Sequence, residues 1–426
     1  MEYYRRELAP CVWLTALRDE KFKTGCLSAS LLTQLDRATA ASNAVLPSVL
    51  RRGTASLGDL RAIASRLDGM YGAEIEPRVR KLGEIQALGF AADFSDDRFL
   101  PAGSAVLEGV VRLLGELWLS PNTRGGLLLP DYVESERGKL LERLESMRND
   151  RRSWALRRLI ENMCSCEPYA VSAYGGVQEA ESIHYVKLTK DYRSLLASSP
   201  MEFFYYGSRS GEEVAEMLEN AMLLLPRGAI DLELGTDVRM NAVEAEPRYF
   251  TETMNVTQGN LAVGFRLGAC MADPDEAAIR VFNAVYGGCV TSKLFTHVRE
   301  RLSLCYYASS SLDLLKGIMT VSSGIDFDKY DAALSEILAQ LEHVRAGDIT
   351  PEELAGARKA VANNLRAMHD SPFSLEDFYL RQAVTGLDAS PADMAALVED
   401  VTADEVAAVA RGVETDAVYF LKGEDA

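Results

Sequence analysis

Histidine is scarce in this chain, and its few copies are scattered. The 426 residues contain only four histidines, which are His184, His297, His343 and His369. No two of them are close enough to bind one metal ion from the same helix, so the H-x-x-x-H and H-E-x-x-H zinc patterns are absent. Cys164 and Cys166 offer only two sulfur ligands, and we interpret them as small side chains at a helix end. The G-x-S-x-G motif of serine hydrolases is also missing.

Long apolar runs and an excess of positive charge are missing as well. No run approaches the roughly 18 apolar residues of a membrane span, and the start "MEYYRRELAPCVWL" lacks the apolar core of a signal peptide. The formal net charge of −18 disfavours binding to nucleic-acid phosphates. Seven cysteines, an odd number in a long chain, indicate free thiols. We therefore expect a cytoplasmic protein that binds neither nucleic acid nor a membrane.

The two halves of the chain share one pattern of strands and helices. Each half contains a strand pair joined by a glycine turn and followed by two helices, at 67–94, 99–121 and 130–147 and again at 302–327, 330–347 and 350–370. Each half also begins and ends with a segment typical of a strand. Strand pairs followed by helices predict an α+β fold rather than βαβ alternation.

We therefore predict two similar domains in tandem, each an antiparallel-rich sheet covered by helices. The N-terminal domain is expected over residues 1–234 and the C-terminal domain over residues 253–426. The polar stretch at 235–252 is the predicted linker.

The segment "NAVLPSVLRRGTAS", residues 43–56, predicts a helix that carries no catalytic side chain. Its apolar residues recur at helical spacing, and two arginines favour a helix C-terminus at this point. Gly53 follows and can adopt a positive φ without a steric penalty. The segment holds no His, Glu, Asp or Cys, and Pro47 lies in its middle.

A second segment, "YGGCVTSKLFTHVRERLSLCYYASSS" (286–311), combines helix and strand signals with two hydrogen-bond donors. One helix is predicted to end at the glycine pair, and the next carries Arg299. A strand then carries Tyr306, seven residues further on. A guanidinium and a phenol can both donate to an oxygen that gains charge in a transition state. The simpler interpretation is a solvated charge on a helix face and a strand aromatic in the core.

This second segment resembles the insulinase/pitrilysin zinc peptidases, a family that includes the mitochondrial processing peptidase. The family's second domain has a Gly-Gly, Ser-[RK]-Leu-Phe, Leu-Arg-Glu, Leu-Ala-Tyr succession. The matching residues here are Gly287-Gly288, Ser292-Lys293-Leu294-Phe295, Val298-Arg299-Glu300 and Leu304-Cys305-Tyr306. "VTQGNLAVGFRL" (256–267) is similar to the opening of that domain. The resemblance covers essentially the whole chain and includes the arrangement of two similar domains in tandem.

The resemblance implies that this chain has lost the family's zinc site. In such peptidases two histidines of H-x-x-E-H hold zinc, and the Glu between them is the general base. A Gly-Thr pair commonly ends that helix, so Gly53-Thr54 places the first His on Ala44, the base on Pro47 and the second His on Ser48. A third ligand, a Glu further downstream, falls on Arg143. We therefore expect no metal cofactor in this chain.

The same resemblance implies a function in partnership. We expect a non-catalytic subunit of a bacterial heterodimeric zinc metallopeptidase, whose homologous partner holds the zinc while this chain supplies Arg299 and Tyr306. In the family these donors bind the substrate backbone near the scissile bond. The substrate is expected to be an unfolded peptide that adds as a strand beside the segment Tyr71, Gly72, Ala73 and Glu74. The stretch after Tyr71-Gly72 is the candidate edge strand, and Pro77 within that stretch is tolerable only where a strand is not fully paired.

Two other functions fit the sequence. The chain could be a catalytically inert peptide-binding or assembly protein with a degenerate peptidase fold. It could also be a stand-alone hydrolase with another metal arrangement. A neighbouring gene for a homologue with H-x-x-E-H would favour the heterodimer over both.

Overall fold

The computed structural model of the protein describes residues 1–424, within which thirteen strands form two sheets and a small hairpin. The strands of the first half are β1 (Glu2–Ala9), β2 (Val12–Arg18), β3 (Thr24–Gln34), β4 (Glu74–Leu82), β5 (Ile85–Ser95), β6 (Thr123–Arg124), β7 (Leu127–Leu128) and β8 (Met201–Gly207). Those of the second half are β9 (Arg248–Thr253), β10 (Gly259–Arg266), β11 (Cys305–Asp313), β12 (Ile318–Ile325) and β13 (Glu414–Lys422).

Fourteen α-helices accompany these strands within residues 1–424. The first half contains α1 (Arg37–Leu50), α2 (Leu60–Asp68), α3 (Val106–Leu119), α4 (Pro130–Ser146), α5 (Arg151–Met163), α6 (Val177–Glu181), α7 (Tyr185–Ser198) and α8 (Gly211–Ala221). The second half contains α9 (Glu276–Asn283), α10 (Tyr330–Arg345), α11 (Pro351–Ala367), α12 (Pro372–Thr385), α13 (Pro391–Asp400) and α14 (Ala403–Gly412). Two π-helical segments, Ala284–Gly288 and Leu294–Arg301, follow α9.

The two sheets have the same strand order, which confirms the predicted repeat and the α+β class. Sheet 1 runs β1-β2-β8-β3-β5-β4, and sheet 2 runs β11-β12-β10-β13-β9. Starting from β4 in sheet 1 and from β11 in sheet 2, five strands correspond one to one. In both sheets the neighbours are antiparallel except for one parallel pair, β2 with β8 and β9 with β13. Sheet 1 differs by its additional edge strand, β1.

The central strands are buried along most of their length. Every residue of β8 and β10 is buried, and β3 is exposed only toward its ends. Their sequences are correspondingly rich in apolar and small side chains, as expected for strands covered on both faces. The edge strand β4 has only two buried residues, Ile75 and Leu82, and carries charges between them.

The chain forms two compact units that do not follow the order of its halves. Unit 1 comprises Met1–Glu145, Val171–Gly235 and Pro372–Val384, and unit 2 comprises the segments Ser146–Ala170, Thr236–Ser371 and Thr385–Ala426. The chain passes from unit 1 to unit 2 between Gly235 and Thr236, at the start of the predicted linker. Residues 248–252 of that linker belong to strand β9. The predicted domains are continuous stretches of the chain. The two units are not continuous, because a segment of the first half belongs to unit 2 and a segment of the second half belongs to unit 1.

The exchanged segments contain α5 and α12, which we call the crossover helices. Each is the third helix after the strand pair of its own half, yet α5 belongs to unit 2 and nearly all of α12 belongs to unit 1. Leu159 and Met163 of α5 lie in a buried cluster with Tyr419 of β13. At Gly264 of β10 a Cβ would lie 2.5 Å from the Met163 sulfur, so glycine permits the close approach of this helix.

The second crossover helix is held on sheet 1 by a buried carboxylate. Glu376 of α12 has a side chain that is only 1% exposed, and it accepts two hydrogen bonds from the Arg80 guanidinium, at 2.5 and 2.6 Å. Ser28 of β3 donates a third, at 2.9 Å. A buried carboxylate that accepts three hydrogen bonds is well satisfied. Removing either Glu376 or Arg80 would leave the charge of the other uncompensated.

Candidate functional site

Helix α1 contains the positions that correspond to the family's zinc motif. It begins after Asp36, whose carboxylate accepts a hydrogen bond from the Ala38 amide, and it ends at Leu50, which confirms the predicted helix. Ala44 is 5% exposed, Pro47 is buried and Ser48 is partly buried.

The glycine after this helix does not do what the sequence predicts. Gly53 has no positive φ. A Cβ at this position would instead lie 2.9 Å from the carbonyl oxygen of Gly58, so close backbone packing is what requires glycine here. The expectation of a left-handed cap was therefore wrong. The residue that caps α1 is Arg51, in a right-handed helical conformation.

Pro47 lies inside α1 without ending it. A proline lacks the backbone N–H that would bond to the carbonyl four residues earlier, and its ring crowds that carbonyl. Here that carbonyl belongs to Asn43, whose side-chain amide donates to Gln86 of β5 at 3.0 Å. Gln86 in turn donates to the Ala40 carbonyl at 2.9 Å. These buried bonds fix the preceding turn of α1 against sheet 1.

Arg143 of α4 is linked to the same helix through a short connecting segment. Its guanidinium lies 3.8 Å from the centre of the Tyr174 ring, a cation–π contact. The next residue, Gly175, packs so tightly on α1 that a Cβ there would lie 2.6 Å from the Ala41 nitrogen. The position that corresponds to the third zinc ligand is thus a cation stacked on an aromatic ring that adjoins α1.

The residues at these four positions do not fit a zinc ion. Ala44 and Pro47 have no ligand atom, the Ser48 hydroxyl is neutral, and Arg143 would repel the metal. Within residues 1–424 no group of three or more His, Cys, Asp or Glu side chains could hold a metal ion. All seven cysteines are free, and Cys164 caps the C-terminus of α5, in line with its interpretation as a helix-end residue.

Arg299, the first of the two predicted donors, lies on the π-helical segment Leu294–Arg301. Its side chain is 41% exposed, and its guanidinium lies 4.7 Å from the centre of the Phe295 ring. The Glu300 carboxylate lies 3.5 Å from the Arg299 Nε. Such π-helical turns are rare in proteins and occur frequently at functional sites.

Tyr306, the second predicted donor, is presented by a bulge in β11. Cys305 pairs with Ile325 and Tyr307 pairs with Gly324, so Tyr306 is the extra residue between them. Bulges leave one residue unpaired and redirect its side chain. Tyr306 is accordingly 61% exposed rather than in the core, and its hydroxyl donates to Asp326 at 2.8 Å. The hydrogen bond to Asp326 and the negative charge of that carboxylate raise the pKa of the Tyr306 phenol.

Arg299 and Tyr306 line one open pocket of about 410 Å³, together with Asp326 and Lys329. Lys329 lies 2.9 Å from the Asp326 carboxylate and donates to the Ser303 carbonyl at 3.3 Å. Asp326 and Lys329 were not among the predicted site residues. Asp326 follows β12 and reaches Tyr306 only through the pairing of β11 with β12, which a linear motif does not reveal.

The predicted peptide-binding segment lies at the start of the edge strand β4. Tyr71 and Gly72 both have positive φ, 58° and 74°, and the Tyr71 side chain is 52% exposed. Ala73 is buried and Glu74 is exposed. Among the strands of residues 1–424, β4 pairs with β5 alone, so its other side is a sheet edge, as the proline in its sequence indicated. Peptide binding at this edge remains a prediction.

Known proteins resemble this chain over part or nearly all of its length. Residues 182–361 match the model of the peptidase M16 inactive domain. The chain is 29% identical over 410 residues to the probable inactive metalloprotease YmfF of Bacillus subtilis strain 168, covering 96% of this chain and 95% of that protein. The chain is therefore similar to the peptidase M16 family. The predicted resemblance to the insulinase/pitrilysin peptidases is thereby confirmed, and both matches agree with a non-catalytic relative of zinc peptidases.

Solved structures share the fold of this chain. A conserved protein from Enterococcus faecalis V583 has 26% sequence identity and a TM-score of 0.90, with 100% of this chain and 99% of that chain covered. A peptidase M16 inactive domain from Pseudomonas fluorescens shares the fold, with a TM-score of 0.81 and 15% identity, covering 99% and 98% of the two chains. Within residues 1–424 no helix has both the length and the apolar character of a membrane span.

Proposed function

We propose that this chain is a member of the peptidase M16 family and the non-catalytic subunit of a heterodimeric zinc peptidase. A homologous partner would hold the zinc ion and the general base. This chain would supply Arg299 and Tyr306 to the partner's active site and would help to bind an unfolded peptide.

The observation that carries this proposal is the contrast between the two sites. At the zinc-motif positions every ligand and the base have been replaced by residues that cannot substitute for them. The Arg299 and Tyr306 pocket, in contrast, keeps both donors, and it is open to solvent. A bulge and a π-helical turn present these two side chains, and such irregular backbone commonly marks functional positions.

The proposed role of the two donors is electrostatic. As a partner's metal-bound water attacks a peptide carbonyl, negative charge develops on the carbonyl oxygen. Guanidinium and phenol donors aimed at that oxygen bind it more strongly in the transition state than in the ground state. Tyr306 would have to turn its proton from Asp326 toward the substrate, and the Asp326 carboxylate would then be left with Lys329 as its partner.

The test is a peptidase assay of the reconstituted pair. The chain is produced together with an M16 protein from the same genome that has H-x-x-E-H, and the complex is isolated by size exclusion. Arg299→Ala and Tyr306→Phe are each expected to lower kcat by about 10²–10³-fold, as for loss of an oxyanion donor. Arg299→Lys should restore only part of the rate, because an ammonium cannot make a planar two-pronged contact.

Matched controls are available next to each donor. Arg301→Ala removes a neighbouring exposed cation on the same π-helical segment, and Tyr307→Phe removes the hydroxyl of the next residue in β11. Neither residue lines the pocket, so both variants should retain the wild-type rate. Wild-type rates in Arg299→Ala and Tyr306→Phe, with the complex intact, would contradict the proposal.

One observation favours a second function, that of a catalytically inert peptide-binding protein. The Tyr306 hydroxyl already donates to Asp326, and the Arg299 guanidinium already stacks on Phe295. Both donors therefore have partners within this chain. Peptide binding by the chain, together with no effect of the donor substitutions on any partner's rate, would support this second function.

A further inference from the structure

The free edge of β4 presents a limited set of backbone groups. In an antiparallel pair, alternate residues direct their N–H and C=O groups toward the partner strand and the remainder direct them outward. Pro77 is paired with Phe90 and has no N–H, so it belongs to the outward-facing set. The same alternation places Ile75 and Val79 in that set. A peptide that adds to this edge would bond to these residues.

The outward carbonyl of Ile75 is already occupied. Arg51, the residue that caps α1, donates from Nε to the Ile75 carbonyl at 2.5 Å. Another nitrogen of the same guanidinium is hydrogen-bonded to the carboxylate of Glu76. The Arg51 side chain is only 23% exposed, so the residue that caps α1 lies against the free edge of the strand.

We propose that Arg51 closes the β4 edge against an added strand and that an extended peptide must displace its guanidinium to bind there. This inference rests on the proposed function, which takes β4 as the peptide-binding edge. The ligand is an extended peptide backbone whose N–H would replace Arg51 at the Ile75 carbonyl. With Pro77 unable to donate, the outward N–H groups of Ile75 and Val79 are the donors that remain on either side of it.

The neighbouring arginine provides a natural control. Arg52 follows Arg51 directly, but its guanidinium bonds to Glu136 of α4 at 3.1 Å and stacks on Tyr132. It makes no contact of this kind with β4. Two adjacent arginines at the end of α1 thus point to different elements, and only one of them covers the strand edge.

The inference is tested by peptide binding to the isolated chain, without a partner. The probe is fluorescein-labelled, reduced and carboxymethylated lactalbumin, followed by fluorescence anisotropy. Arg51→Ala is expected to tighten binding about tenfold, because it removes a competing charged hydrogen bond worth roughly 1.5 kcal/mol. Arg51→Lys should tighten it less, and Arg52→Ala should leave it unchanged.

A second substitution tests where the peptide binds. Val79→Pro removes an outward N–H at a position where an edge strand tolerates proline. Combined with Arg51→Ala, it should abolish the gain in affinity, while circular dichroism confirms that the fold is retained. Equal affinity of Arg51→Ala and wild type, a gain that survives Val79→Pro, or no binding by any variant would each overturn the inference. Failure of the proposed function would appear separately, as wild-type rates of the Arg299 and Tyr306 variants in the reconstituted pair.

Discussion

Tyr306 owes its exposure to a single extra residue in β11. Without the bulge between Cys305 and Tyr307, alternation along the strand would fix its side chain on one face of sheet 2. The bulge instead turns the phenol toward Asp326, whose carboxylate also pairs with Lys329. The pKa of Asp326 is correspondingly lowered, first by its hydrogen bond from Lys329 and then by that from Tyr306.

This arrangement predicts the ionisation behaviour of Tyr306. Asp326→Asn removes both the charge and the carboxylate acceptor that raise the pKa of the phenol, so that pKa should fall toward the ordinary tyrosine value of about 10. The measurement is a pH titration followed by fluorine NMR of the chain with 3-fluorotyrosine at position 306. Asp328→Asn removes a nearby charge that does not contact the phenol and serves as the control. An unchanged titration in Asp326→Asn would show that the hydrogen bond is absent in solution.

The residues at the zinc-motif positions also predict the metal content of the purified chain. With Ala44, Pro47, Ser48 and Arg143 at the zinc-motif positions, we expect no stoichiometric zinc by mass spectrometry of the purified protein. Changing them to His, Glu, His and Glu should raise zinc affinity, to the extent that α1 accommodates the larger side chains. Zinc bound at one equivalent by the wild type, and lost in Ser48→Ala, would refute this expectation.

At the level of elements, the segment after α5 is fixed in unit 2 by a buried ion cluster. The Arg266 and Lys316 side chains are fully buried, and both bond to Glu167, at 2.6 and 2.7 Å. Burial alone would raise the pKa of Glu167, but the hydrogen bonds from Arg266 and Lys316 outweigh burial and hold it below the usual value. Asp416 also pairs with Arg266 and shares its charge.

Glu167→Gln is therefore expected to destabilise the protein in a pH-dependent way. Because the pKa of the folded-state carboxyl is lowered, its stabilisation is present above the unfolded-state pKa of about 4.3 and is lost as the pH falls below it. The substitution should lower the free energy of unfolding by about 3 kcal/mol at pH 7, and the difference from wild type should shrink in acid.

Urea unfolding at neutral and acidic pH measures this effect. The control is Glu161→Gln on α5, a partly exposed carboxylate paired with Arg157 and Arg158, where a loss below about 1 kcal/mol is expected. Equal losses in the two variants at pH 7 would argue against a special role for Glu167.

Apolar periodicity and turn signals predict the repeated strands and helices well, because these signals lie within each segment of the sequence. The strand pairs of both halves and the helices that follow them carry their own apolar pattern and a glycine turn, as at Gly83 and Gly317 with φ of 59° and 67°. The sequence does not predict that α5 packs on sheet 2. That packing depends on the space above Gly264, which exists only in the folded sheet. The partner of Tyr306 is hidden for the same reason, since Asp326 becomes its neighbour only through strand pairing.

At the scale of the whole molecule, the crossover helices determine where the chain can be divided. A fragment of residues 1–235 lacks α12, so Arg80 and Ser28 lose the Glu376 carboxylate. A fragment of residues 236–426 lacks Glu167, so Arg266 and Lys316 lose a buried partner. Uncompensated buried charge is strongly destabilising.

We therefore predict that neither fragment folds cooperatively alone and that the two restore the native fold when produced together. We would compare each fragment with the co-purified pair by circular dichroism and by urea unfolding. A second pair divided at the Gly347 turn, which keeps α5 together with strands β9–β12 in the N-terminal fragment, should also reassemble. A cooperative transition in residues 1–235 alone would contradict the prediction.

The position of α12 in the chain also has a consequence for the growing polypeptide on the ribosome. Domains usually complete their folding in the order of synthesis, at about 5–20 residues per second. Unit 1 cannot do so, because its last segment ends at Val384, long after Gly235 has left the ribosome. That interval corresponds to roughly 7–30 s of translation. During this time the face of sheet 1 that Glu376 later covers is open to chaperones and to other nascent chains.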